Sequence, residues 1–147
     1  MLIFILNILW FVLGGFFAGL GWVLAGVFMA ITIIGIPWAR SCFMLARYTF
    51  WPFGYDIVSR EQYYGEHDIG TGALGTIGNI IWFVLAGWWL ALMHITAAAA
   101  LAVTIIGIPF AWAHVKLALA SLFPIGKTVV EVDEFKLLPG VGQGQKI

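Results

Sequence analysis

The sequence predicts an all-α integral membrane protein of two tandem helical-hairpin repeats, about four transmembrane helices, with amphipathic interfacial helices and a short β-ribbon outside the membrane. Three observations predict it. First, 63% of the 147 residues are hydrophobic and only 10% are charged, whereas soluble domains run nearer half and a quarter. A soluble chain this small could not enclose that much apolar surface in one core. Second, no charged residue precedes Arg40 and none lies between Asp68 and Lys116. Each run exceeds the ~20 residues that cross a bilayer once, leaving room for about two spans. Third, the chain repeats itself.

The repeat has an offset of 72 residues. Asn7-Ile8-Leu9-Trp10-Phe11-Val12-Leu13-Gly14-Gly15 answers to Asn79-Ile80-Ile81-Trp82-Phe83-Val84-Leu85-Ala86-Gly87. Thr32-Ile33-Ile34-Gly35-Ile36-Pro37 recurs unchanged as Thr104-Ile105-Ile106-Gly107-Ile108-Pro109. Pro52-Phe53-Gly54 answers to Pro124-Ile125-Gly126, and from Asn7 to Ser59 about 22 of 53 positions are identical without a gap. Apolar low complexity cannot align Asn, Trp, Thr, Gly and Pro in register, so a fixed period of this kind marks a duplicated structural unit. The boundaries are 1–72 for the first repeat with its loop, 73–135 for the second, and 136–147 for a flexible tail.

Each unit reads alike. An apolar stretch, 3–24 or 77–98, opens it. A region of small residues follows, with Gly14, Gly15, Gly19, Gly21 and Gly26 in the first copy and Ala97 to Ala100 in the second. The hairpin tips are expected there, near 18–28 and 90–100. A second apolar stretch reaches Gly-Ile-Pro, where Gly35, Pro37, Gly107 and Pro109 should break or kink the helix, because proline lacks an N–H and crowds the preceding turn. The amphipathic stretches 38–50 and 110–122 come next and end at Pro-x-Gly. Beyond it, 56–61 and 128–134 read as extended, and Val130-Glu131-Val132-Asp133 alternates with period two. If the copies are related by rotation, these two segments pair as a ribbon.

With two spans per unit, every charge falls on one side. Lys and Arg concentrate on the cytoplasmic side, so the expectation is a multi-pass protein with both termini in the cytoplasm. The rival is an odd number of spans per unit and inverted copies. That arrangement would put the Arg60 loop and the lysine-bearing tail on opposite faces.

The polar residues inside the apolar runs are the candidate sites. Asn7 and Asn79 can bond between helices, cap, or line a pore. Thr32 and Thr104 can satisfy backbone groups freed by the nearby break or touch a solute. His94 is the one titratable group within an apolar segment, and an ionisable group at such a place is a functional hypothesis by default. Its repeat partner is Trp22, so the duplication does not require it. Arg40, Arg47 and Lys116 are basic residues of the amphipathic stretches, suited to snorkelling toward lipid headgroups. The arginines' repeat partners are Trp112 and Leu119. Trp10, Trp38, Trp51, Trp82, Trp88, Trp89 and Trp112 suit interfacial anchoring. Cys42 stands alone and reads as a small hydrophobe, while His67, in a polar loop, and His114 give metal binding little support.

No enzyme motif, phosphate loop or metal-ligand spacing occurs in the sequence, so neither catalysis nor a cofactor is expected. The zero formal charge leaves no footprint for nucleic acid. The first run has no basic start and continues past the length of a cleaved leader. The doubled Asn-Ile-x-Trp, Thr-Ile-Ile-Gly-Ile-Pro and Pro-x-Gly pattern, from Asn7 to Glu131, resembles the YccF family of bacterial inner membrane proteins. That resemblance implies an inner-membrane location and tandem component domains, and it carries no catalytic or binding residue across. Two functions follow from the residues. One is an oligomeric pore for small ions or solutes, its axis formed by a homo-oligomer and lined by Asn7, Asn79, Thr32 and Thr104. The other is a non-transporting scaffold or accessory subunit that sits in the lipid bilayer and holds a partner protein.

Overall fold

The computed structural model describes residues 1–137. The first unit opens with α1 (Leu2–Trp10), a π-helical turn (Phe11–Gly15) and α2 (Phe16–Ile31). Then come α3 (Ile36–Phe50), β1 (Tyr55–Ser59) and α4 (Arg60–Tyr64). The second repeats the order: α5 (Ala73–Trp82), a π-turn (Phe83–Gly87), α6 (Trp88–Ala102), α7 (Ile108–Leu122), β2 (Lys127–Glu131) and α8 (Val132–Leu137). The expected tail at 136–147 is a helix end at Lys136 and Leu137, and its remainder lies outside the described residues.

Leu2–Ile31 and Ala73–Ala102 each run as one 30-residue path, long and apolar enough to cross a membrane. The tips therefore do not fall at 18–28 or 90–100. They fall at Thr32–Gly35 and Val103–Gly107, immediately before the Gly-Ile-Pro prolines. Glycine weakens a helix in water, but here glycines receive rings. A Cβ on Gly19 would lie 2.6 Å from the Phe50 ring, and one on Gly26 would lie 2.8 Å from Phe43. Small residues that admit close packing keep α2 helical against α3, as in membrane helix pairs. Pro37 and Pro109 occupy the first turns of α3 and α7, where the missing N–H costs nothing. They start helices and do not kink them.

The two π-turns fall at matched positions, and each follows a tryptophan. A Cβ on Gly15 would overlap the Trp10 indole, so the glycine makes room for that ring. Only the first copy bends further: Gly14 leaves the helical region at φ 159°, ψ −17°, whereas its counterpart Ala86 stays helical within the second π-turn.

A pseudo-twofold axis relates the copies. β1 and β2 pair antiparallel, from Tyr55 opposite Glu131 to Ser59 opposite Lys127. Arg60 N–H donates to Gly126 at 2.7 Å and Val132 N–H to Gly54 at 3.0 Å, closing the ladder symmetrically. The strands are shorter than expected, because residues 60–61 and 132–134 turn into α4 and α8. These two helices meet, with the Tyr63 hydroxyl donating to Glu134 at 3.2 Å and the Tyr63 and Phe135 rings stacked at 6.2 Å.

The direction of the helices follows from their ends. Trp38, near the start of α3, donates its indole N–H to the Gly78 carbonyl at 3.2 Å, beside Asn79 and Ile125 just past α7. Phe110, near the start of α7, meets Phe53 just past α3, with ring centroids 5.6 Å apart. Each helix of the α3/α7 pair begins where the other ends. The pair is antiparallel, and so are the long helices packed on it. The ribbon lies along the pair: Arg47 of α3 stands over the Tyr55 ring at 5.9 Å, and Lys116 of α7 reaches Asp56 at 3.2 Å. Held between ribbon and long helices, Leu45 and Leu117 are wholly buried. The start of the Arg60 loop and the β2 arm therefore lie together at the ribbon.

Candidate functional site

The apolar runs hold few polar side chains, and most close bonds within their own repeat. Asn7 is completely buried. Its Nδ2 donates to the Phe53 carbonyl at 2.9 Å, and its Oδ1 accepts the Phe53 N–H at 3.0 Å. Asn79 does the same for Ile125, at 3.0 and 2.9 Å. One turn on, Trp10 donates its indole N–H to the Thr49 carbonyl, and Trp82 to that of Ser121. The Asn-x-x-Trp spacing puts both side chains on one helix face. Together they clasp the Pro-x-Gly corner, where the chain leaves α3 or α7 and cannot satisfy its own backbone.

Thr32 and Thr104 serve the tips. Thr32 Oγ1 donates to Met29 at 2.7 Å and accepts the Gly35 N–H at 3.2 Å. Thr104 bonds Leu101 and Gly107 likewise, at 3.2 and 3.0 Å. In the first tip the N–H groups of Thr32, Ile33, Ile34, Gly35 and Ile36 all find partners within the turn. Ile33 stands at φ +59°, a costly conformation for a β-branched side chain. The neighbouring side chains, Ile34 and Ile106, are about four-fifths exposed. A tip exposing isoleucine and closing its own backbone bonds is built for contact with hydrocarbon.

One polar pair departs from the repeat. His94 Nδ1 lies 3.0 Å from His114 Nδ1, and the His114 ring is 4.9 Å from that of Trp10. The corresponding residues of the first copy are Trp22 and Cys42, both buried. The sequence marked His94 but gave no sign of its partner, twenty residues away on the next helix. No cluster of three or more His, Cys, Asp or Glu suited to a metal occurs among the described residues.

The charged groups gather on the ribbon side. Arg60 is buried and grips Asp68 with two nitrogens, Nε to Oδ2 at 2.8 Å and Nη2 to Oδ1 at 3.0 Å. Desolvation pushes the Asp68 carboxyl up, but Arg60 and the N–H groups of Thr71 and Gly70 outweigh it and hold the carboxyl below its usual range. This bridge folds the loop between the repeats and was not foreseen from the sequence. Arg47 lies over Tyr55, and Lys116 pairs with Asp56. Arg40 is exposed and meets no carboxylate among the described residues.

Charge on one face, bare apolar helices on the other, and a duplicated hairpin define a helical membrane protein. The inner membrane component domain YccF matches twice, over residues 5–55 and 77–127. The inner membrane proteins YccF of Escherichia coli (strain K12) and Shigella flexneri are each 39% identical over 133 residues, 88% of this chain and 88% of theirs. This chain belongs to the YccF family of inner membrane component domains. No solved structure matches it.

Proposed function

We propose that this protein is a non-transporting membrane scaffold or accessory subunit, embedded from the cytoplasmic face of the inner membrane. One observation carries the reading: the four residues that would line a pore are spent on local bonds. Both amide groups of Asn7 and Asn79 hold a backbone corner, and the threonine hydroxyls close the tips. A conduit lined by these four residues would need their side chains free to replace a solute's water.

The ribbon supports embedding from one side. Its five-residue strands are about 17 Å long at ~3.4 Å per residue, too short to bridge a ~30 Å hydrocarbon core. Stood on end in the bilayer, it would carry Asp56, Lys127 and Glu131 through that core. Laid flat at the surface, it leaves α4 and α8 in water with their acids, and the long helices below in lipid. That is the disposition of a helix lying in the interface with its apolar face buried. Arg47 and Lys116 flank the ribbon, and basic residues favour the cytoplasm. Both ends of the described chain then face that side, and the α4/α8 surface is free to hold a partner.

The test is reconstitution of the purified protein into liposomes loaded with ions and small solutes. Fluxes equal to those of protein-free liposomes are expected. Protein-dependent flux altered by substituting Asn7, Asn79, Thr32 or Thr104 would restore the pore.

A further inference from the structure

Among the described residues a groove lies between α3 and α5, about 500 Å³ in volume, within the ~300–1,000 Å³ of small-molecule sites. Its walls are Ile36, Trp38, Leu74, Ile77 and Ile81, with Gly75 and Gly78 at its base. The corresponding region of the other half, between α7 and α1, has Ile3 and Leu6 at the positions of those two glycines. There Trp10 stacks on Phe110 at 6.2 Å, and Phe53 packs edge-on against the same ring. Gly78 leaves open in α5 the place where α1 carries Leu6, while the Gly70 backbone occupies the space beside Gly75.

Charge differs between the halves as well. Arg40 lines the groove and its counterpart is Trp112. Arg60 also lines it, counterpart Val132, but its guanidinium is neutralised by Asp68. Arg40 has no such carboxylate among the described residues. Ile34, Ile69 and Leu74 at the rim are each more than two-thirds exposed, an apolar rim suited to lipid. An apolar slot opening to hydrocarbon, with a free guanidinium at its edge, complements a molecule with an acyl chain and an anionic head. Arginine is suited to phosphate oxygens because its fork donates two hydrogen bonds together.

We propose that this groove binds an anionic phospholipid, its acyl chain between α3 and α5 and its phosphate on Arg40. Trp38, bonded to the Gly78 carbonyl at 3.2 Å, holds the two walls at their spacing. Trp112 stands in the second half where Arg40 stands in the first, so one lipid is expected per chain.

The test is native mass spectrometry of the full chain in a neutral detergent, titrated with phosphatidylglycerol or phosphatidylcholine. One phosphatidylglycerol per chain should be retained in preference to phosphatidylcholine. Arg40→Gln should weaken phosphatidylglycerol about tenfold, the loss of one charge-assisted contact, and weaken phosphatidylcholine less, because its choline already compensates the phosphate charge. Gly78→Leu, which restores the side chain carried at position 6, should abolish retention of both. The Cβ it adds meets only the tip of Ile125, at 2.6 Å, and an unchanged unfolding transition will show that the variant is folded. Arg47→Gln, on the same helix but over Tyr55, should behave as wild type. Equal retention by wild type and Arg40→Gln, equal loss in Arg47→Gln, or displacement of the lipid by soluble glycerol phosphate would overturn the proposal.

Discussion

Replacing Asn7 by leucine tests the corner clasp. The substitution keeps the number and branching of the side-chain heavy atoms and strips two partners from Phe53, one N–H and one carbonyl. An unpartnered buried polar group costs about 1–3 kcal/mol, giving about 2–6 kcal/mol for two as an upper bound. Side-chain hydrogen bonds within membrane proteins average ~0.6 kcal/mol and reach ~1.7, because the unfolded embedded chain finds other partners. Asn7 is wholly inaccessible, so no water can take its place, and the cost belongs at the top of that lower range. A loss of about 2–3 kcal/mol is expected for the pair. Asn79 makes the same two bonds but is only partly buried, and solvent can reach its corner. Asn79→Leu should therefore lose about half as much. Reversible unfolding in mixed micelles, followed by tryptophan fluorescence, measures both. Wild-type stability in Asn7→Leu, or a larger loss in Asn79→Leu, would refute the reasoning.

The other expectations follow the same logic. Trp10→Phe keeps a ring against Phe110 but loses the indole bond to Thr49, and should cost about 1 kcal/mol in the same assay. Thr32→Val leaves the Gly35 N–H without its acceptor and should cost about 1 kcal/mol, while Thr32→Ser restores most of it. The Asp68 carboxyl is held below its ordinary value of 3.8. Its contribution is therefore complete above that pH and is lost as pH falls below it, through the folded value. Hydrogen exchange in the loop after α4 should rise over that window, and Asp68→Asn should remove the pH dependence.

What the sequence could tell divides along physical lines. The repeat, a break at Gly-Ile-Pro and the ribbon were legible, because proline geometry, period-two alternation and a fixed offset act locally; that the prolines start the next helix was not. The tips were not, since Gly19 and Gly26 read as breakers until Phe50 and Phe43 are seen seated on them. The clasp was half legible. Asn7 and Trp10 stood out as a pair in register, but their partners are backbone groups at Phe53 and Thr49, which no residue type signals. Arg60–Asp68 and His94–His114 depend on how the loop and neighbouring helices fold, and the duplication hides both because neither pair recurs. The YccF motif combination was specific enough to give the family, which the doubled domain match and 39% identity to the Escherichia coli protein show.

Accessibility of the tips tests the central claim of one-sided embedding most directly. On a Cys42→Ala background, single cysteines replace Ile34, Ile106 and Tyr64, and an impermeant maleimide is added to intact spheroplasts or to inverted vesicles. Tyr64, exposed on α4, should react only in inverted vesicles, and the two tips should react from neither side. Labelling of Ile34→Cys and Ile106→Cys in intact spheroplasts would show that the hairpins cross the membrane, and would contradict the account.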